Sequence, residues 1–156
     1  MNIRLAKEKD VENLFQLLRG VQALHAQGRP DIFISGTNKY DRAAITEILK
    51  NPLTPVYVVV DNLDAAVGYA FCSIENQKGS QNLAEIKIFY IDDLCVAENL
   101  RGKGIGTELF NFVVEQAKKE GCYHLTLNVW HLNQSAYKFY QKLGMQPLKT
   151  TMEKIL

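Results

Sequence analysis

The chain has 156 residues, of which 47% are apolar, 22% charged and 10% aromatic; this suits a single domain over residues 1–156 and leaves no room for disordered, collagen-like or low-complexity architectures. Lys plus Arg number 18 against 17 Asp plus Glu, so a formal charge of +1 gives no net field to hold a nucleic-acid backbone or an anionic membrane. Neither partner is expected. The longest unbroken apolar stretch, Val56–Val60, has five residues, whereas a spanning helix needs about 20. The N-terminus becomes charged at Arg4 and Lys7–Asp10 before a signal-peptide core can develop, so the expected address is cytoplasmic. Cys72, Cys95 and Cys122 are an odd set without metal-ligand spacing and are read as reduced, structural thiols.

Ile3 and Leu5 open a short strand. From Asp10, apolar residues recur at Val11, Leu14, Leu18 and Val21, the spacing of an amphipathic helix that Gly28-Arg29-Pro30 ends. Asp41 can cap a second helix carrying Ala44, Ile45, Ile48 and Leu49, which stops at Asn51-Pro52. Val56–Val60 and Val67–Ile74 flank a turn at Asn62–Asp64 and predict a hairpin. A turn at Gly79–Asn82 leads to a long strand, Ile86–Val96, that contains Asp92 and Asp93. Ile105, Leu109, Phe112, Val113 and Ala117 mark a helix that closes on Lys118, Lys119 and Gly121. Leu125–Val129 alternates as a strand. Asn133 can cap a helix with Ala136, Phe139, Tyr140 and Leu143 on one face and Gly144 at its end, and a last strand is expected from Pro147 toward Leu156. The order β-α-α-β-β-β-α-β-α-β implies one α/β domain with a mixed sheet.

The segment Leu100–Thr107 lies between a good strand and a good helix. Its glycines let successive backbone N–H groups and the positive helix end converge on phosphate oxygens, and Arg101 and Lys103 add charge. It lacks the Lys-Ser/Thr of a P-loop and the spacing of a dinucleotide fingerprint. Arg101-Gly102-Lys103-Gly104-Ile105-Gly106 resembles the Gln/Arg-x-x-Gly-x-Gly/Ala loop of the GNAT N-acetyltransferase superfamily, which grips the pyrophosphate of acetyl-CoA. Downstream, Asn133–Met145 resembles that superfamily's Asn-x-x-Ala-x-x-Phe-Tyr-x-x-x-Gly-Phe segment, with Met145 in place of the usual Phe. The likeness is strongest over residues 85–146. It implies an acyl-CoA N-acyltransferase fold, α/β with a central mixed twisted sheet and helices on both faces.

The resemblance also implies roles. Leu94, Cys95 and Val96 would pair their backbone with the pantetheine arm, as an open strand edge pairs with an amide-rich ligand. Residues Arg101, Gly102, Lys103, Gly104, Ile105, Gly106 and Thr107 would hold the phosphates, Asn133 and Ala136 would lie along the cofactor, and Tyr140 would approach the sulfur as the acid that protonates the leaving thiolate. From spacing alone, Tyr140 is as well explained by packing on the stripe of Ala136, Phe139 and Leu143.

Acetyl transfer to an amine needs the neutral amine, although a free alkylammonium has a pKa of about 10.4. Strand alternation sends Asp92 and Asp93 to opposite faces. Asp92, sharing the parity of Leu94 and Val96, is expected on the acceptor face as a base through water or as an anchor for the ammonium, with Glu85 as the runner-up. A similar acidic placement occurs in the diamine acetyltransferases of the superfamily and hints at a small cationic acceptor. Arg29, Trp130 and His131 are expected to line the acceptor pocket, with a plain strand-end role left open for Trp130 and His131, and His25, continuing the apolar face of the first helix from Val21, is read first as a partly buried, hydrogen-bonded histidine and second as a pocket residue. Cys95 as an acetyl-carrying nucleophile is disfavoured, because no histidine is adjacent.

The expected protein is therefore an enzyme that moves acetyl from acetyl-CoA directly to a primary amine, without a metal. A peptide N-terminal acetyltransferase and a non-catalytic acetyl-CoA sensor remain as alternatives. A homodimer is expected only from the family.

Overall fold

Val56–Val60 is apolar at every position because it is an interior strand of a sheet covered on both sides. The computed structural model describes residues Met1–Leu156. In chain order the elements are β1 (Asn2–Leu5), α1 (Val11–Gly28), α2 (Arg42–Lys50), β2 (Val56–Val60), β3 (Ala66–Gln77), β4 (Ile86–Val96), α3 (Ile105–Lys119), β5 (His124–Leu127) and α4 (Gln134–Lys142), with short 3-10 turns at Glu8–Asp10 and Glu98–Leu100. The sheet order is β1-β2-β3-β4-β5. The first four strands are antiparallel, and β5 joins β4 in parallel after the α3 crossover.

Two apolar layers sandwich the sheet. On one side Leu14 and Leu18 of α1 and Ile45 of α2 pack on Val56, Val58, Val60, Tyr69, Phe71 and Cys95. On the other, Ile105, Leu109, Phe110 and Val113 of α3 cover Tyr57, Val59, Ala70, Cys72, Phe89, Ile91 and Val96, with Tyr140 and Leu143 of α4 at the margin. The helix ends follow the sequence signals. Asp41 accepts from Ala44 N–H at 2.7 Å, Asn133 accepts from Ala136 N–H at 3.1 Å, and Gly121 and Gly144 close α3 and α4 with φ of 68° and 87°.

Two expectations fail. No strand forms beyond α4: residues 145–156 are neither helix nor strand, and Leu148, Met152, Ile155 and Leu156 are exposed. Pro147 cannot donate to a ladder, and the segment is tied instead by side chains, with Glu153 held by Arg29 at 2.5 and 3.1 Å. Strict alternation along β4 also fails. Phe71 pairs with Asp93 while Cys72 pairs with Ile91, so Asp92 is the extra residue of a β-bulge. Before the bulge Phe89 and Ile91 face α3; after it Val96 does, and Cys95 faces α1 and α2.

One buried charge fixes the start of α1. Asp10, 1% exposed, accepts from Arg4 Nη1 at 2.7 Å and Nη2 at 3.0 Å and from Lys7 N–H at 2.7 Å. Burial alone would raise its carboxyl, but those hydrogen bonds and the charges of Arg4 and Lys9 outweigh it and hold the pKa below the ordinary aspartate value. Removing the carboxylate leaves Arg4 with only Asp64 and the Leu5 carbonyl, so Asp10→Ala should cost about 3 kcal/mol, read as a lower urea midpoint at pH 7. Because the folded pKa is depressed, this contribution is complete above the unfolded value of about 3.9 and is lost as pH falls through the folded one. The difference between wild type and Asp10→Ala should therefore shrink in strong acid.

Candidate active site

β4 and β5 share only the pairs from Ile88–His124 to Ile91–Leu127. Beyond them β4 runs on through Asp92–Val96, paired with β3 on one side and with no strand on the other. Leu94, Cys95 and Val96 thus lie along an open edge. The edge is partly closed at its far end, where Arg101 Nε donates to the Val96 carbonyl at 3.1 Å. Arg101 is accordingly a latch on the end of β4 as well as a positive charge beside the loop.

The loop leads from this edge into α3. Arg101 N–H turns back onto Glu98 O, whereas the N–H groups of residues 102–107 donate to nothing within the chain. Gly102 and Gly104 have φ of 76° and 81°, a left-handed backbone that favours glycine, and a Cβ at either would meet no neighbouring atom within 4 Å. Lys103 is exposed, and Thr107 is half-buried in the first turn of α3. Six successive unpartnered donors at a helix N-terminus match the chemistry of a diphosphate, so the residues present fit the phosphate end of acetyl-CoA. Gly106 serves packing: a Cβ there would stand 3.4 Å from Phe139 Cζ and 3.8 Å from Val96 Cγ2. It lets α3 approach α4 and β4.

Across the open edge stands α4. Asn133 Oδ1 is engaged in the helix cap, leaving its amide N–H groups, and Ala136 is half-buried in the first turn. Tyr140 packs against Phe139 and Phe110, at ring separations of 5.1 and 6.0 Å, and its hydroxyl makes no hydrogen bond within the chain. Burial, and less strongly the charges of Asp93 and Cys95, push the phenol above its ordinary value, so it keeps its proton.

The bulge brings both aspartates to the side of α1 and α2. Asp92 Oδ2 accepts from Tyr40 OH at 2.7 Å, Asp92 Oδ1 pairs with Lys39 Nζ at 2.7 Å, and Asp93 Oδ2 accepts from Tyr69 OH at 3.0 Å. The expected division of the two carboxylates between faces is overturned, because the extra residue resets the alternation. Burial pushes the Asp93 carboxyl up to about 6, against the opposing pull of Lys39 and the Tyr69 hydrogen bond. Cys95 is buried and its thiol is raised, first by burial and then by Asp93, which disfavours a thiolate nucleophile. Glu85 lies exposed before the start of β4, at the opposite end of the strand from the fork.

Three aromatic rings, from α1, the loop after it and the segment after β5, pack into a wall, and His25 in it feels the charge of Lys39, the partner of Asp92. His25 stacks on Phe33 at 5.0 Å, Phe33 meets Trp130 edge-on at 4.9 Å, and His25 and Trp130 are 6.5 Å apart. Burial and the charge of Lys39 lower the His25 pKa, which keeps the ring neutral at pH 7. Arg29 is ion-paired with Asp31 and Glu153, both exposed. His131 is exposed and enters the structure through its main-chain oxygen, which accepts from Gln134 Nε2 at 2.6 Å. Sequence reasoning missed Lys39, Tyr40 and Tyr69 and placed Asp92 on the face of Leu94 and Val96, whereas it lies on the opposite face with Asp93. Lys39 and Tyr40 sit in an irregular loop with no periodicity to reveal them, and Tyr69 reads as an ordinary core residue. No group of three or more His, Cys, Asp or Glu side chains is arranged to hold a metal ion, and no helix is long and apolar enough to cross a membrane.

The sequence matches the Acetyltransferase (GNAT) family over residues 21–145. It is 30% identical to thialysine N-epsilon-acetyltransferase of Bos taurus, over 94% of this chain and 84% of that protein. The structure superposes on a mutant of the BH1408 protein from Bacillus halodurans with a TM-score of 0.96 and 31% identity, covering 100% of this chain and 99% of that one. The aminoglycoside N-acetyltransferase AAC(6')-Iy, in complex with CoA, shares the fold at a TM-score of 0.69 and 17% identity, over 99% and 98% of the two chains. With the family match spanning most of its length, the chain belongs to the Acetyltransferase (GNAT) family and is an acetyl-CoA-dependent N-acetyltransferase.

Proposed function

We propose that the protein transfers acetyl directly to the primary amine of a small cationic acceptor, such as a diamine or an amino-acid side chain. The observation that carries this is the pair Asp92 and Asp93, two carboxylates on one face of the sheet at the fork between β4 and β5. Two adjacent acids attract an ammonium, and the wall of His25, Phe33 and Trp130 suits the methylene chain that bears it. The name of the bovine relative, which specifies the ε-amine of an amino acid, supports the same acceptor class.

Acetyl-CoA, when bound, supplies an acetyl group activated as a thioester. The N–H groups of residues 102–107, with Lys103 nearby, hold its phosphates. The edge at Leu94, Cys95 and Val96 offers backbone partners to its amide-rich arm, and Asn133 and Ala136 flank it from α4. Asp92 anchors the acceptor ammonium. Asp93, with a pKa of about 6, is ionised at neutral pH yet still basic enough to take a proton from the amine, directly or through water. Tyr140, kept protonated, holds a proton at its hydroxyl for the departing sulfur. Arg29, bound to two carboxylates, is left out of acceptor binding, and His131 is kept only as an exposed rim residue.

The direct test is thiol release from acetyl-CoA over a panel of diamines, amino acids and N-terminal peptides. Fastest release with diamines or basic amino acids supports the assignment; release with peptides alone overturns the acceptor class, and release with none returns the sensor alternative. Tyr140→Phe should lower kcat by roughly a hundredfold while leaving the KM for acetyl-CoA nearly unchanged. Gly104→Val forces a branched residue into a left-handed backbone over the N–H cradle and should weaken CoA binding about tenfold or more by titration calorimetry, with the folded circular-dichroism spectrum retained. Since a base acts only when deprotonated, kcat/KM should fall as pH drops through about 6, and Asp93→Asn should lose that limb along with most of its activity.

A further inference from the structure

The ammonium that Asp92 is proposed to anchor already has an occupant from the chain itself. Lys39, in the loop between α1 and α2, places Nζ 2.7 Å from Asp92 Oδ1 and 3.3 Å from the Asp92 main-chain oxygen. Asp92 is the first residue of β4 past the last β4–β5 pair, so this primary amine stands at the fork itself. Tyr40 OH fixes the other carboxylate oxygen at 2.7 Å and holds the acceptor of the pair in place. The charge of Lys39 is also felt by His25, Tyr90 and Asp93, which places it amid the groups of the acceptor cleft.

Other lysines form ion pairs of the same length without this setting. Lys50 meets Glu47 and Lys118 meets Glu115, each at 2.7 Å, along the exposed faces of α2 and α3. Their side chains are 66% and 67% exposed, against 41% for Lys39. Uncatalysed attack on acetyl-CoA would favour those two, whereas attack within the cleft would favour Lys39.

We infer that Lys39 is an internal acceptor, acetylated by its own active site, and that this modification frees Asp92 for the external amine; the inference rests on the cleft assignment made above. In the reaction the Lys39 ammonium first gives one proton to the base and, through it, to solvent. The Nζ lone pair then forms the N–C bond as the C–S bond breaks, Tyr140 gives its proton to the departing thiolate, and the second proton shed by nitrogen restores the Tyr140 hydroxyl. The products are an N-acetyl-lysine and CoA thiol. The resulting amide carries no charge, so it cannot keep the ion pair, and Asp92 is left with Tyr40 as its partner.

The test incubates the full chain with acetyl-CoA and no added amine, and follows acetylation at each lysine by peptide mass spectrometry. Lys39 should be acetylated about tenfold or more faster than Lys50 and Lys118, as expected of an amine held beside the reacting group. The rate per molecule should not change with protein concentration, and Tyr140→Phe should slow Lys39 without slowing Lys50. Pre-incubation should lower the KM of the best external amine several-fold in wild type and leave that of Lys39→Arg unchanged. Acetylation of Lys39 no faster than of Lys50, or a rate per molecule that rises with concentration, overturns the inference. Thiol release with external amines measured in parallel separates the two failures: release without Lys39 acetylation sinks the internal acceptor alone, and absence of both sinks the cleft assignment as well.

Discussion

β4 has to meet two demands at once: it must remain in register with β3 along its whole length, and it must part from β5 halfway. The bulge at Asp92 falls where these demands meet, next to the last β4–β5 pair. An inserted residue increases local twist and bends its strand, which is the distortion needed to lead one strand away from a parallel neighbour. The same residue exchanges the two faces of the strand. Phe89 and Ile91 reach the α3 layer on one side of it and Val96 does so on the other, so the core is continuous while two acids come to share a face.

Two neighbouring carboxylates in a half-buried place repel one another, and the protein treats them differently. Asp92 is balanced by the Lys39 ammonium and a Tyr40 hydroxyl. Asp93 has a single hydroxyl from Tyr69 and is driven toward neutrality by its surroundings. The ion-paired Asp92 suits an anchoring part, and Asp93, whose carboxyl burial pushes up to about 6, suits a proton-accepting one beside it. Burial pushes the Tyr140 phenol upward as well, and it therefore keeps its proton.

Much of this was legible before any coordinates. The glycine turn and the Asn133–Met145 segment pointed to a phosphate cradle and its opposing helix, and the caps at Asp41 and Asn133 and the stops at Gly121 and Gly144 lie where turn chemistry puts them. Leu14 and Leu18, spaced for one helical face, are buried in the α1 layer. What escaped depended on non-local geometry. A bulge has no compositional mark in Tyr90-Ile91-Asp92-Asp93-Leu94, so parity placed Asp92 with Leu94 and Val96 and wrongly split the two acids. The expected last strand had suitable residues around Thr150 and Thr151, yet strand propensity acts only where a neighbouring edge supplies hydrogen bonds. Nor does spacing show that Arg29 pairs with Asp31 and with Glu153, the latter from the far end of the chain.

The bulge also limits how this sequence can change length. Across most of a hairpin, loss of one residue can be absorbed at the nearest loop. In β4, deletion of Asp92 would restore regular pleating with Ile91, Leu94 and Val96 still toward α3 and Cys95 still toward α1 and α2, whereas deletion of Leu94 with the bulge kept would drive a thiol into the α3 layer and turn Val96 away from it. Descendants of this gene can therefore lose a residue at this one place in the strand without inverting the core, but only by giving up the carboxylate that Lys39 and Tyr40 hold.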